Sequence, residues 1–119
     1  MRYLQVLLGG AAGSLLRYAI GLFVLEHYRG KFPIGTFLIN VIGSFFIGVV
    51  MTSLEAGWRP LLVTGVLGGF TTFSAFEWET FFLNQDGFPG LAVLYAIGSV
   101  ACGFLACWGG VQLVHAARH

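Results

Sequence analysis

The residues with the most chemistry to offer stand in one string, Gly68-Gly69-Phe70-Thr71-Thr72-Phe73-Ser74-Ala75-Phe76, in the middle of an apolar stretch. Two glycines and two β-branched threonines are poor helix material, so a helix running through them is expected to break there. A break frees backbone carbonyls and N–H groups. In lipid these have no partner, so they must be buried in protein, line water or hold an ion. Carbonyls at such a point suit a hard cation, and the N-terminus of the following half-helix turns positive dipole toward an anion. A Gly-Thr kink closed by its own hydrogen bonds is the plainer alternative.

Other polar residues fall on faces. Thr36, Asn40 and Ser44 follow one another at i, i+4, i+8, Tyr95 and Ser99 do the same with Gly103 continuing the line, and Phe73, Phe76 and Glu79 share a face after the break. Three such stripes either line a narrow file of hydrogen-bond donors or simply join helices. Phe73 and Phe76 are filler on residue type alone, but aromatic ring edges are partially positive, and a pair in a dry constriction would meet an anion while refusing cations. Glu77 and Glu79 stand about 10 to 14 Å beyond the break at 1.5 Å per residue, near a membrane boundary, with Glu79 aligned to the phenylalanine face. Arg17 lies too deep in its stretch to reach water easily. A structural role and an anion-attracting one both fit it.

What is missing excludes other chemistry. No carboxylate lies inside the first, second or fourth apolar stretch to carry a proton or cation, and no histidine or cysteine set has metal-ligand spacing. No nucleophile is paired with a base, which argues against an enzyme. His27, His115 and His119 fall in a loop or the tail and read as solvated surface. Cys102 and Cys107, five apart on one helix, face different ways and read as packing residues. Six Lys and Arg spread over the chain give a formal charge of +1 and no basic stripe, so nucleic acid is not an expected partner.

The elements that must position these groups follow from the charges. Of 119 residues, 57% are hydrophobic, 9% are charged and 18 are glycine, against roughly a quarter charged and about 7% glycine in soluble domains. The charged residues cluster at Glu26 to Lys31, Glu55 to Arg59, Asp86 and the tail, and so divide the chain into four apolar stretches. We place transmembrane helices at about residues 3–25, 32–54, 61–83 and 88–114, in one domain covering 1–119. The first, although it opens Met1-Arg2 and has small residues at Gly9-Gly10-Ala11-Ala12-Gly13, is read as a span and not a cleaved leader, since its apolar run continues to Leu25. Glycines at 9, 13 and 21 form a packing stripe with Arg17 completing the spacing, Gly65 and Gly69 repeat it, and Gly43 and Gly48 soften the second helix. Arg2, Arg59 and Arg118 on one side nearly balance Arg29 and Lys31 on the other, three to two with Arg17 left inside a span, so almost no orientation is preferred. A chain that inserts both ways can pair as an antiparallel homodimer.

Three strings now stand in order: Gly9-Gly10-Ala11-Ala12-Gly13 with Arg17-Tyr18, Gly35-Thr36-Phe37-Leu38-Ile39-Asn40-Val41-Ile42-Gly43-Ser44-Phe45, and Gly68 to Phe76. In order and spacing, over essentially its whole length, the chain resembles the CrcB/Fluc fluoride channels. The resemblance implies an all-α integral membrane fold of four transmembrane helices with the third broken, assembled as an antiparallel dual-topology homodimer in lipid. It implies two fluoride pores and a central structural Na⁺ held by the backbone carbonyls of Gly68 and Thr71. It also implies a multi-pass protein of the prokaryotic plasma (inner) membrane that exports cytoplasmic fluoride passively. The pore residues it implies are Asn40, Phe73, Phe76, Thr72, Ser74, Tyr95, Ser99 and Glu79, with Thr71 also supplying a hydroxyl and Arg17 in a vestibule. Ala75 stands where many members have threonine and Gly103 where some have serine, which shortens the expected polar track. Two rivals remain. A small dual-topology cation or drug antiporter would need a glutamate within the first span, where there is none before Glu26, and a non-transporting assembly subunit would leave the polar stripes without a cause.

Overall fold

A computed structural model of the chain describes residues 2–118; Met1 and His119, the latter read above as solvated tail, lie outside the described residues. The described residues are all-helical. α1 (Arg2–His27), α2 (Ile34–Ser53) and α5 (Pro89–Ala117) are each long and apolar enough to cross a membrane. Between α2 and α5 lie two shorter helices. α3 begins as the π-helix Pro60–Leu67 and tightens into one α-turn, Gly68–Phe70, and α4 is Phe73–Gln85. A short 3₁₀ turn, Ala56–Trp58, leads into α3.

Local chemistry sets the ends. Pro33 closes α2 at its start and Pro89 opens α5, both where a missing N–H costs nothing. Gly87, at φ 90°, takes the left-handed position just after α4, the Phe88 N–H returns to the Leu83 carbonyl at 2.8 Å, and the chain turns back. The third stretch, 61–83, is interrupted within the string where a break is expected from the sequence: Thr71 and Thr72 are extended, at φ −79°, ψ 158° and φ −148°, ψ 113°.

Glycines hold the helices together by close backbone approach. α1 lies on α3, where a Cβ at Gly9 would come within 3.0 Å of the Gly65 Cα and one at Gly13 within 2.9 Å of the Phe70 N. α2 lies on α5, Gly48 against the Cys107 carbonyl and Gly110 against the Phe45 carbonyl. Gly43 and Gly48, read from the sequence as softening the second helix, are also contact points, Gly43 against the Thr71 methyl. Gly21, by contrast, has open space around it and belongs to no close contact within the chain.

The core is small. Phe76, Leu83, Ala92 and Tyr95 form its centre at the α4–α5 contact, with Phe32 and Phe37 packed on it. Rings meet edge to face there, Phe32 on Tyr95 at 5.3 Å and 84°. Large apolar side chains such as Leu15, Phe23, Val100 and Phe104 lie outside it, exposed on α1 and α5. A chain whose apolar surface so exceeds its apolar core is built for an apolar surrounding.

Candidate pore and ion site at the helix junction

The extended pair Thr71-Thr72 is held open by side chains from other helices. Asn40, on α2, pairs its amide with both main-chain polar groups of Thr72: the Thr72 N–H donates to Oδ1 at 2.9 Å and Nδ2 donates to the Thr72 carbonyl at 3.1 Å. The Thr72 hydroxyl then caps α4 by accepting the Ala75 N–H at 3.2 Å. Arg17, from α1, donates Nε to the Gly69 carbonyl at 3.2 Å, placing a cation at the C-terminal end of α3 where the helix dipole is negative. The Thr71 hydroxyl returns to the Leu67 carbonyl at 3.0 Å.

These bonds decide which carbonyls lose their helical partner. The amide four residues after Gly68 is that of Thr72, and it goes to Asn40; the amide four residues after Thr71 is that of Ala75, and it goes to the Thr72 hydroxyl. Gly69 and Thr72 carbonyls have replacement donors in Arg17 and Asn40. Gly68 and Thr71 carbonyls have lost theirs, and both residues line one open cleft of about 340 Å³ with Asn40, Ser44, Thr72 and Phe73.

One helical level away, three helices converge on one carboxylate. Glu79 of α4 accepts the Thr36 hydroxyl of α2 at 3.0 Å on one oxygen and the Tyr95 hydroxyl of α5 at 2.9 Å on the other. Tyr95 is fully buried, its ring 5.0 Å from that of Phe76. A second open cleft, of about 300 Å³, has Arg17 and Glu79 in its walls together with Thr36, Thr72 and Ala75.

The other residues singled out in the sequence are distributed unequally. Phe76 is buried while Phe73, with its ring centroid 5.8 Å away, is 72% exposed. Ser74 is exposed on the first turn of α4, as is Glu77 farther along. Ser99 Oγ is buried without a hydrogen-bond partner, on the α5 face that carries Tyr95. A Cβ at Gly103 would meet Ser44 Oγ at 3.3 Å, so the second-helix stripe and the fifth helix face each other there. Cys102 and Cys107 are free and half-buried. The stripe spacing identified the faces but missed their convergence: Thr36, Glu79 and Tyr95 sit in three separate stripes, and only the packing of α2, α4 and α5 joins them. The cap formed by Thr72 was likewise missed, although a threonine just before a helix start is its signal.

Several apolar helices, a minimal core and polar groups gathered at one interruption of the backbone define an integral membrane protein with a polar site among its helices. Residues 4–111 match the family model described as CrcB-like protein, Camphor Resistance (CrcB). The chain is 48% identical over 117 residues to a protein of Acidobacterium capsulatum named fluoride-specific ion channel FluC, covering 93% of this chain and 94% of the relative. It is 44% identical over 119 residues to a protein of the same name from Solibacter usitatus, covering 95% and 98%. A third, from Thermus thermophilus, is 48% identical over 117 residues, covering 94% and 92%. The chain belongs to the CrcB family, the one its three motif strings resemble. That family is one of ion channels and not of enzymes.

Proposed function

We propose that the protein is a fluoride-selective channel that lets cytoplasmic fluoride leave passively across the prokaryotic plasma (inner) membrane and so lowers fluoride toxicity. It works as an antiparallel, dual-topology homodimer with two pores. α3 and α4 together make the third crossing, broken at Thr71-Thr72. At about 1.5 Å per residue their combined length, about 36 Å, is enough to cross the ~30 Å of a hydrocarbon core. The observation that carries this reading is the gathering of Asn40, Thr72, Phe73 and Phe76 at that interruption, in a chain 48% identical to a protein named for fluoride conduction.

Fluoride is small, strongly hydrated and a strong hydrogen-bond acceptor, so a path for it must replace water with donors and positive edges. Hydroxyls of Thr72, Ser74, Tyr95 and Ser99, the Asn40 amide, and the ring edges of Phe73 and Phe76 supply them. The orphaned Ser99 hydroxyl supports this, being a buried donor with no bonding partner among the described residues. Arg17, in the wall of the 300 Å³ cleft, raises the local anion concentration at a vestibule, and Glu79 fixes Thr36 and Tyr95 near a mouth. The exposed ring of Phe73 supports the dimer, since its neighbour Phe76 is buried and a second copy would cover it.

Sodium fits the carbonyls. Gly68 and Thr71 are the two residues whose carbonyls the side-chain bonds deprive of amides, and carbonyl oxygens are donors for a hard cation. When bound, Na⁺ supplies the positive charge that joins the two copies at the centre.

The test is anion efflux from liposomes holding the purified protein, fluoride and chloride in parallel, with Phe76→Ile as control. Rapid fluoride loss with chloride retained, abolished by the substitution, is the expected result. Retention of both ions would return the chain to the antiporter or assembly-subunit alternatives.

A further inference from the structure

A helix in a low-dielectric surrounding strongly favours continuing, because every N–H and C=O then satisfies another. Residues 68–76 do not continue, and the bonds that stop them are two. Asn40 takes the Thr72 N–H, and the Thr72 hydroxyl takes the Ala75 N–H. The first interaction is two-way: Asn40 also donates to the Thr72 carbonyl, which holds that residue in its extended conformation. Each diverted amide is the helical partner of one carbonyl of the sodium pair, Thr72 N–H for Gly68 and Ala75 N–H for Thr71.

We propose that Asn40 and Thr72 are positioning residues for the sodium site: they hold the backbone out of the helix and so keep the Gly68 and Thr71 carbonyls free for the cation. The proposal rests on the sodium reading above and gives two residues counted with the pore a second role. Asn40 faces the anion path with its remaining amide capacity while its other bonds maintain the cation site. Loss of either cap lets residues 71 and 72 move toward helix, and the carbonyls regain competing amides. A net hydrogen bond is worth about two- to tenfold in an equilibrium, and the effect occurs once in each copy, so sodium binding weakens by about tenfold.

The experiment uses the full-length dimer in detergent, with thermal unfolding followed as Na⁺ replaces N-methylglucamine at constant ionic strength. Stabilisation by a bound ion rises with its concentration above the dissociation constant, so the onset concentration reports affinity. Thr72→Val, which keeps the shape and removes the hydroxyl, is expected to move the onset about tenfold upward, and Thr72→Ser to restore it to within about twofold. Should Thr72→Val not fold, Asn40→Ala carries the same expectation. Should neither fold, amide exchange at Thr72 and Ala75 in the unmodified protein is read with and without Na⁺, where added protection supports the proposal and unchanged exchange overturns it. An onset unmoved in Thr72→Val or Asn40→Ala overturns it while leaving the sodium site standing. No response to Na⁺ in the unmodified protein overturns both.

Discussion

Tyr95→Phe removes one oxygen from the interior and changes almost nothing else. The ring stays buried against Phe32 and Phe76, so packing is kept, and the loss is the hydroxyl donated to Glu79 at 2.9 Å. Hydrogen bonds to charged groups contribute about 1.5 to 3 kcal/mol, so a cost of about 2 kcal/mol is expected. Thr36→Val removes the other donor to the same carboxylate and is expected to cost a similar amount. Because both donors serve Glu79, the two losses should not add: after the first, the carboxylate turns toward its surviving partner or takes on water. The discriminating background is Glu79→Gln, where the charge is gone and Tyr95→Phe should cost under about 1 kcal/mol. Equilibrium unfolding in mixed detergent micelles measures the cycle, with each variant also tested for fluoride efflux. Additivity within about 0.5 kcal/mol, with no change in the Gln background, would refute the claim that the carboxylate joins α2, α4 and α5.

Glycines that look alike in the sequence should respond oppositely. Gly13→Ala forces a Cβ into the Val66 carbonyl and is expected to destabilise by about 1 to 3 kcal/mol, whereas Gly21→Ala meets open space and should be neutral or stabilise by up to about 1 kcal/mol; unfolding in detergent separates them, and equal costs would place a neighbour at Gly21. Lys31 and Asp86 stand 3.9 Å apart with exposed side chains, and Lys31 also lies over the Phe88 ring at 5.7 Å. Lys31→Ala is therefore expected to cost under about 1 kcal/mol, with any loss shrinking as salt is added.

Much of the helical layout was legible because charges are intolerable in lipid and their clusters mark where the chain surfaces. The four apolar stretches and the close-packing role of Gly9 and Gly13 follow from that and from spacing alone. The π-helical start of α3 was not legible: Pro60-Leu61-Leu62-Val63 reads as ordinary helix, and nothing in its residue types signals the wider turn. Nor could spacing distinguish Gly21 from Gly13, since a glycine stripe says that a helix can be approached and not where the neighbour lies. The exposure of Phe73 beside the burial of Phe76 was equally hidden. Three residues apart on one helix they share a face by arithmetic, yet α4 meets α5 along only part of that face.

The site shows why motif strings carried more information than any residue within them. Asn40 belongs to the second string and Thr72 to the third, and neither is unusual in a membrane helix. Placed together they complete one another, because a primary amide carries a donor and an acceptor side by side and an extended residue presents its own N–H and C=O side by side to meet them. Arg17 does the same from the first string, its guanidinium meeting a carbonyl at the end of α3. The first and second strings thus each meet a backbone group that the break in the third leaves unpaired. A substitution in one is felt as an unsatisfied N–H or C=O in another, in a surrounding with no water to absorb it, and the three must therefore keep order and spacing together.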